Sequence, residues 1–161
     1  QQGILEFKPQ QIDLALLVAR NVALFTPIAA EKEIEVNHDG PPYLKLRADL
    51  KMLDAIIRNL LSNALKFTKP GGTVDIHTGN TGPDVTLTVH DTGIGIPAEK
   101  LNDLFVIHAK YKRPGTGGEP GTGLGLILCH EFVKYHGGTI GVESQNGGGT
   151  TFYCTFPAPE K

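Results

Sequence analysis

The hydrophobic and polar positions along the chain predict a protein in which helices and strands are mixed. Two long segments carry apolar residues at helical spacing, one opening at Pro9 and continuing to about Ala30, the other from about Asp49 to Phe67. A third helix is predicted over Gly123 to Tyr135 and a short one near Pro97 to Leu104. Asp49 is the predicted N-cap of the second long helix, since aspartate is a favoured capping residue.

Short segments with alternating apolar and polar residues predict strands between these helices. They are Ile4–Lys8, Glu33–Asn37, Tyr43–Leu46, Thr73–His77, Val85–Val89, Thr139–Glu143 and Thr150–Phe156. The fourth and fifth form a hairpin-like pair around the turn-rich stretch Gly79 to Pro83. Helices mixed with mostly antiparallel strand pairs predict an α/β sandwich (α+β), a sheet backed by helices.

Length and composition predict one soluble globular domain over residues 1–161, with 40% hydrophobic and 20% charged residues. The net charge of −2 gives no basic stripe, so we expect no nucleic-acid partner. No apolar run approaches the length of a membrane span, and no signal peptide opens the chain. We expect a cytoplasmic location, either free or as the cytoplasmic part of a membrane-bound sensor. Cys129 and Cys154 lie in apolar patterns and are predicted to be buried free thiols.

The second long helix carries an unusual polar face. Asn59, Asn63 and Lys66 stand at positions i, i+4 and i+7, beside the apolar stripe. A solvated face is the ordinary interpretation, but two asparagines one turn apart lower helix propensity without helping the core. Amide oxygens with a neighbouring ammonium suit coordination of Mg²⁺ and binding of phosphate.

A second candidate segment, Asp91-Thr92-Gly93-Ile94-Gly95-Ile96-Pro97, follows a predicted strand. A carboxylate at a strand end, with glycines that permit close approach, can accept a hydrogen bond from an exocyclic amine. The alternatives are a common glycine turn capped by Asp91, and a metal-ligating role for which no Asp-x-Asp spacing exists.

A third candidate segment, Gly121-Thr122-Gly123-Leu124-Gly125-Leu126, stands directly before an apolar helix. Glycines at every second position let the backbone approach a ligand, and a helix N-terminus favours an anion such as phosphate. Residues 108–120 ahead of it are polar, glycine-rich and basic, with Lys110, Lys112 and Arg113. This stretch is either a solvated loop or a lid that closes over the β and γ phosphates.

Together these motifs resemble the catalytic ATP-binding domain of bacterial sensor histidine kinases, in the GHKL (Bergerat) ATPase superfamily. The N box is similar to Asn59–Thr68, the first glycine box to Asp91–Pro97, the F box to Leu104-Phe105 and the second glycine box to Gly121–Leu126, in family order. The ending from Gly137 to Phe152 also matches the family's final hairpin.

The resemblance implies a Bergerat-type mixed sheet of about five strands backed by three main helices, with a flexible ATP lid over residues 105–121. Asn63 would ligate Mg²⁺ with help from Asn59, and Lys66 would contact phosphate; these three are the implied catalytic residues. Asp91 would accept a hydrogen bond from the adenine amino group, and Thr150 would make a water-linked contact nearby. The ATP-contacting residues are then Asn63, Lys66, Asp91, Gly93, Gly95, Ile96, Phe105, Gly121, Thr122, Gly123, Leu124, Gly125 and Thr150, with Lys110 added for its charge.

The implied activity is ATP:protein-histidine phosphotransfer in two-component signalling, with ATP and Mg²⁺ as cofactors. The phosphoacceptor histidine would lie on the protein's own dimerisation domain, and a response regulator receiver domain would act downstream. We expect the full-length kinase to be a homodimer and the isolated domain a monomer. His130-Glu131 resembles the start of a phosphoacceptor box, but the residues that follow do not match, and the helix next to the nucleotide is poorly placed for in-line attack.

Two alternatives stay open at this point. One is a nucleotide-driven ATPase of the same fold, disfavoured because Asn59 stands where gyrase-like and chaperone relatives carry a general-base glutamate. The other is a degenerate module that binds a nucleotide or a partner without catalysis, disfavoured by the intact Asn63, Asp91 and glycines.

Overall fold

The computed structural model describes residues 6–105, apart from the side chain of Asn102, and residues 124–157. Its helices are α1 (Leu14–Glu31), α2 (Leu50–Phe67) and α3 (Gly125–Tyr135), with a 3-10 helix at Ala98–Asp103. Its strands are β1 (Pro9–Asp13), β2 (Glu35–Asp39), β3 (Lys45–Asp49), β4 (Thr73–Thr81), β5 (Asp84–Asp91), β6 (Thr139–Ser144) and β7 (Thr150–Phe156).

Five of the strands form one mixed sheet in the order β2-β4-β5-β7-β6. The β2–β4 pair is parallel and the other three pairs are antiparallel. Strands β1 and β3 form a separate two-stranded antiparallel sheet. Three helices and a five-stranded mixed sheet confirm the predicted α/β sandwich.

The core lies between the helices and one face of the five-stranded sheet. Every second residue of β5 and β7 is buried there, whereas the residues between them are partly or well exposed. The helix α2 contributes the apolar stripe that its periodicity predicts: Met52, Leu53, Ile56, Ile57, Leu60, Leu61, Ala64 and Leu65. Cys129 and Cys154 are free and buried, as predicted, and burial raises the pKa of the Cys129 thiol to about 12.

The start of α2 confirms the predicted N-cap. The Asp49 carboxylate accepts the Met52 N–H at 3.0 Å, and its second oxygen accepts the Lys8 N–H at 2.8 Å. Burial by itself would raise the pKa of Asp49, but hydrogen bonds from the backbone of Lys8, Met52 and Lys51, with His136 nearby, hold that pKa below its ordinary value. The cap therefore ties the segment before β1 to the first turn of α2.

The prediction for the N-terminal segment is wrong. Residues 9–13 form β1, although Pro9 was expected to open a helix, and Glu6 to Lys8 do not form the predicted strand; Ile4 and Leu5 lie outside the described residues. The physical reason is tertiary pairing, since Ile12 lies opposite Leu46 of β3. The helix α1 starts only after Asp13, whose carboxylate accepts the Ala15 N–H at 3.1 Å and the Leu44 N–H at 3.0 Å.

The bounds of four further strands differ from the prediction by two or more residues. Strand β4 runs on to Thr81, through part of the predicted turn, and β5 runs on to Asp91, because the two strands pair along their whole length. Strand β2 begins at Glu35 because Glu33 and Ile34 complete the C-terminus of α1, where their N–H groups donate to Ala30 O (3.0 Å) and Ala29 O (2.8 Å). Strand β3 covers Lys45–Asp49 and pairs with β1, so it runs beyond the predicted Leu46.

The expectation that no apolar segment is long enough to span a membrane is wrong for α1. Its 18 residues are long and apolar enough, by length and composition alone, to cross a membrane. The core helix of a soluble protein passes the same test, and Leu14, Leu17 and Val18 of α1 are buried in the core of this domain.

Candidate functional site

The carboxylate at the end of β5 is buried. Asp91 continues the core-facing row of β5 and is only 2% exposed. Its Oδ1 accepts the Gly93 N–H at 2.8 Å, so the side chain shapes the turn that follows the strand. Asp91 pairs with Val74 of β4 and with Thr150 of β7. The structure thus places a carboxylate inside the molecule at one end of the sheet, where a ligand donor could meet it.

The glycines after Asp91 are required by close approach. A Cβ on Gly93 would overlap the Phe67 carbonyl at the end of α2, and the Ile94 N–H donates to that same carbonyl at 3.1 Å. Gly95 has a φ of +74°, and a Cβ there would overlap the Gln145 carbonyl. The segment Asp91–Pro97 is therefore held between the last turn of α2 and the turn that joins β6 to β7.

The same segment is joined to the β6–β7 hairpin through a hydroxyl that the sequence did not single out. The Ile96 N–H donates to Ser144 Oγ at 2.7 Å, and Ile96 itself is buried. Thr150 is 4% exposed, and its Oγ1 lies 2.8 Å from Ser144 Oγ. Asp91, Gly93, Gly95, Ile96 and Thr150 are thus brought together, as the motifs require.

The polar face of α2 leads from this region towards α3. Asn59, Asn63 and Lys66 are all half-buried. A Cβ on Gly125 would lie 3.1 Å from Asn59 Oδ1, so Asn59 lies against the first residue of α3. Lys66 Nζ lies 5.4 Å from the ring centre of Phe67, near the C-terminal turn of α2. The three predicted residues therefore lie between Asp91 and the start of α3.

The N-terminus of α3 has the features of an anion site. Within the described part of the chain, no side chain caps it, and its first turn holds no acidic residue. Leu124 is the N-cap residue and is 47% exposed, and Gly125 follows as the first helical residue. The positive end of the helix dipole and its first amides favour a negatively charged group here.

Phe105 lies where the predicted lid begins. Its ring stacks on His130 of α3, with centroids 5.3 Å apart and planes 20° apart, and meets Phe152 edge-on at 6.4 Å. The side chain therefore packs between α3 and β7. Pattern alone could not reveal the His130 contact, because 25 residues of sequence separate the two rings. His130 Nδ1 also lies 3.7 Å from Glu131 Oε2.

Four predicted site residues lie outside the described residues: Lys110, Gly121, Thr122 and Gly123. The same holds for the predicted lid beyond Phe105. Their roles stay predictions.

The donor set that is described fits Mg²⁺ better than a transition metal. No group of three or more His, Cys, Asp or Glu suited to a metal occurs in the described ranges 6–105 and 124–157. The amide oxygens of Asn59 and Asn63, one helical turn apart, are the hard ligands that Mg²⁺ takes together with phosphate oxygens and water.

Comparison with known proteins identifies a matching family. The family model for histidine kinase-, DNA gyrase B-, and HSP90-like ATPases matches residues 48–160. The sensor histidine kinase TmoS of Ectopseudomonas mendocina is 38% identical over 154 residues, which make up 94% of this chain and 16% of TmoS. The chain thus spans about a sixth of the length of that curated relative.

Solved structures share the fold. A nucleotide-free form of the catalytic domain of histidine kinase ThkA is 25% identical, with a TM-score of 0.82 over 96% of this chain and 100% of that one. Full-length ShkA in complex with AMPPNP is 28% identical, with a TM-score of 0.81 over 99% of this chain and 33% of ShkA. These likenesses confirm the fold that the motifs predict.

Proposed function

Because the chain belongs to the histidine kinase-, DNA gyrase B- and HSP90-like ATPase family, we propose that residues 1–161 are the catalytic domain of a sensor histidine kinase. The domain binds Mg-ATP and donates the γ-phosphate to a histidine on a separate dimerisation domain. One observation supports this proposal most. At its C-terminal end α2 lies against the segment after the buried Asp91, where a Cβ on Gly93 would overlap Phe67 O, and at Asn59 it lies against the first residue of α3. From Asn59 to Phe67 the helix rises about 12 Å, which suits a ligand with a base at one end and phosphates at the other.

At the base end, Asp91 accepts a hydrogen bond from the exocyclic amine of adenine. Its burial excludes water, which strengthens that bond relative to one on the surface. Gly93, Gly95 and Ile96 line the base, and Thr150 lies opposite Asp91 in the strand register. The backbone bonds that fix Ile94 and Ile96 keep this pocket formed before the ligand arrives.

At the phosphate end, the first amides of α3 and the Lys66 ammonium meet the negative charge. Gly125 allows a phosphate to approach between α3 and Asn59, since a side chain there would crowd the amide. The amides of Gly121, Thr122, Gly123 and Leu124 and the Lys110 ammonium add further donors to the phosphates, and Phe105 anchors the lid that carries Lys110.

Asn63 would hold Mg²⁺, with help from Asn59, and the ion would supply positive charge against the phosphates. The chain's own contribution is to orient the triphosphate and to exclude water from the base pocket.

Transfer to a histidine is favoured over hydrolysis by the residue at position 59. Efficient hydrolysis needs a general base beside the γ-phosphate, and an amide cannot accept a proton at neutral pH. The contact between Asn59 and Gly125 supports a position for this amide at the phosphate end of the proposed site. An ATPase of the same fold is therefore the second candidate, and a degenerate binding module the third.

The partners of this function are the protein's own dimerisation domain and, downstream, a response regulator receiver domain. The full-length kinase is proposed to be a homodimer and the isolated domain a monomer, acting in the cytoplasm. The name of the long relative TmoS, a sensor histidine kinase, supports the kinase activity, and the ShkA complex with AMPPNP supports an ATP-like ligand.

The experiment that tests the proposal combines binding with transfer. Isothermal titration of AMPPNP with Mg²⁺ should show binding to the wild-type chain. Asp91→Asn should weaken it by about 100-fold, or ~2.7 kcal/mol, because the amide presents a donor towards the amine. Transfer of labelled phosphate from ATP to a supplied dimerisation domain with its histidine checks the reaction.

Asp84→Asn is the matched control, since Asp84 opens the same strand at its other end. It should leave affinity within twofold. Tight AMPPNP binding by a folded Asp91→Asn protein would contradict the adenine role, and a wild-type chain that binds no nucleotide would overturn the proposal as a whole.

A further inference from the structure

The side chain of Lys32 joins the end of α1 to the end of α2. The backbone N–H of Lys32 donates to Ile28 O at 3.2 Å and so belongs to the C-terminus of α1. Its Nζ donates to Leu65 O at 2.8 Å and to Lys66 O at 3.0 Å, both in the last turn of α2. An ammonium fixed at the end of one helix therefore caps two carbonyls of the next.

The last turn of α2 has a donor at each of its four terminal carbonyls. A helix leaves its last four C=O groups without partners in its own hydrogen-bond ladder. The Thr68 hydroxyl donates to Ala64 O at 2.7 Å. The Ile94 N–H donates to Phe67 O at 3.1 Å, and Lys32 supplies the two remaining donors. Of these donors the Lys32 ammonium carries a positive charge, which is favoured at the negative end of the helix dipole.

A second lysine, Lys66, lies in the same turn. A lysine near a helix C-terminus can hydrogen-bond the last carbonyls of its own helix, and such a bond would turn the Lys66 ammonium back onto the turn. Two of these carbonyls already have a donor from Lys32. In a helical residue the Cα–Cβ bond tilts towards the helix N-terminus. An intact last turn therefore directs the Lys66 side chain towards the part of α2 that carries Asn63 and Asn59.

We propose that Lys32 is a positioning residue, which caps α2 in place of Lys66 and so keeps the Lys66 ammonium directed at the phosphates of the nucleotide. This inference rests on the proposed function, because it takes Lys66 to contact phosphate. Lys32 acts through the last turn of α2 and does not itself contact the nucleotide. When Lys32 is removed, the Lys66 ammonium turns to the vacated carbonyls and meets the negative end of the helix dipole instead of a phosphate.

The test compares AMPPNP, which carries the triphosphate chain, with adenosine, which carries no phosphate. Titration calorimetry with Mg²⁺ measures AMPPNP affinity, and NMR titration measures the weaker binding of adenosine. Lys32→Met keeps an unbranched side chain and removes its charge and its donors. We expect it to weaken AMPPNP binding about fivefold, because a charge-assisted contact is lost, and to leave adenosine affinity within about twofold.

Two control variants separate the cap from charge alone. Lys32→Arg keeps the positive charge and the N–H donors and should retain AMPPNP affinity within about twofold. Lys69 is exposed just beyond the same end of α2, so Lys69→Met removes a neighbouring charge and should also stay within about twofold. A fall for Lys69→Met equal to that for Lys32→Met would place the effect in charge at a distance and would overturn the inference.

A merely structural role for Lys32 lowers AMPPNP and adenosine affinity together. That result in a folded Lys32→Met protein would count against the positioning role. Should thermal denaturation show that Lys32→Met is unfolded, Lys32→Gln takes its place. The same selective fall in AMPPNP affinity is expected there, because glutamine lacks the charge that the helix dipole favours.

A double-mutant cycle tests whether Lys66 carries the effect. Lys66→Met alone should weaken AMPPNP binding about tenfold, and adding Lys32→Met to it should weaken binding no further. An equal fall in both backgrounds would show that Lys32 acts by another route and would refute the inference. Wild type that binds no AMPPNP refutes the proposed function instead. Binding by wild type that is unchanged in Lys32→Met refutes this inference alone, so the two failures are distinguishable.

Discussion

The helices α2 and α3 begin in opposite ways. At the start of α2 the Asp49 carboxylate accepts two backbone N–H groups. One belongs to the first turn of α2 and the other to Lys8. The helix α1 likewise begins on a carboxylate, that of Asp13. The start of α3 has no side-chain cap and no acidic residue in its first turn, within the described ranges.

This difference separates two helices that begin on carboxylates of the chain from the helix proposed to bind a ligand. Every helix N-terminus carries unsatisfied amides and a positive dipole end. Where a carboxylate of the chain already accepts a hydrogen bond from these N–H groups, they are not available to a bound anion. At the start of α3 no side-chain cap is formed among the described residues, and we propose that the phosphates of a nucleotide bind there.

The largest expected effect comes from removing the cap of α2. Asp49→Ala leaves the Lys8 and Met52 N–H groups without their acceptor, and Asp49 is 6% exposed. We expect the free energy of unfolding to fall by about 2–3 kcal/mol. Urea denaturation at neutral pH measures it. Asp49→Asn, which keeps a capping oxygen, should lose less.

The pH dependence sharpens this prediction. The folded-state pKa of Asp49 lies below its ordinary value of 3.8. A lowered folded-state pKa means that the carboxylate contributes stability above pH 3.8, and that this contribution is lost as the pH falls through the folded-state pKa. The difference between wild type and Asp49→Ala should therefore shrink in acid. A difference that grows as pH falls would contradict the assigned role.

The next effect comes from giving α3 the carboxylate it lacks. Leu124→Asp should raise the free energy of unfolding by about 0.3–1 kcal/mol through the helix dipole. It should also weaken AMPPNP binding about tenfold, because the new charge repels the phosphates. Calorimetry in low salt, with parallel urea titrations, measures both quantities.

Leu124→Asn separates charge from side-chain shape in that experiment. It should bind AMPPNP more tightly than Leu124→Asp, since it adds no charge. Equal affinity of wild type and Leu124→Asp would show that the α3 terminus does not meet the phosphates.

The smallest effect concerns the C-termini of α1 and α3, where both helices end with the same pair of backbone hydrogen bonds. After α1 the left-handed position is Glu33 at φ +62°, and after α3 it is Gly137 at φ +71°. Glu33→Gly should relieve the strain of a side chain in this conformation and raise the free energy of unfolding by about 0.5–1 kcal/mol. Thermal unfolding detects this change.

Glu33→Ala is the matched control, because it removes the charge and keeps the Cβ. It should gain nothing, and Gly137→Ala should lose about 1 kcal/mol by the same reasoning. A gain for Glu33→Ala equal to that for Glu33→Gly would place the effect in the charge rather than in the backbone.

Several of the local structures around the candidate site could be predicted from sequence, because they depend on neighbouring residues. The apolar stripe of α2 follows from the helical periodicity, and its N-cap follows from the presence of Asp49. The glycines after Asp91 indicate positions where the backbone approaches another segment closely. Each motif also sits at the end of an element whose type the pattern predicts. The four motifs occur in the order typical of the family, and this order predicted the fold.

The rest could not be predicted because it depends on pairings between distant residues. Pro9 signals a helix start locally, yet Ile12 pairs with Leu46 and the segment becomes a strand. Ser144 has no distinguishing neighbours in sequence, and its partner Ile96 is 48 residues away. The hydrogen bond between Ser144 and Ile96 forms only when the β6–β7 hairpin packs against the segment after β5.

The two buried thiols have a practical consequence for studying motion in this domain. Cys129 and Cys154 are the only cysteines of the chain, and burial raises both of their pKa values, that of Cys129 to about 12. Neither forms appreciable thiolate at neutral pH, and reagents that need an accessible thiolate do not reach them. A single cysteine introduced on the surface can therefore take a spin label or fluorophore in the otherwise unaltered protein, so distances can be compared with and without added AMPPNP.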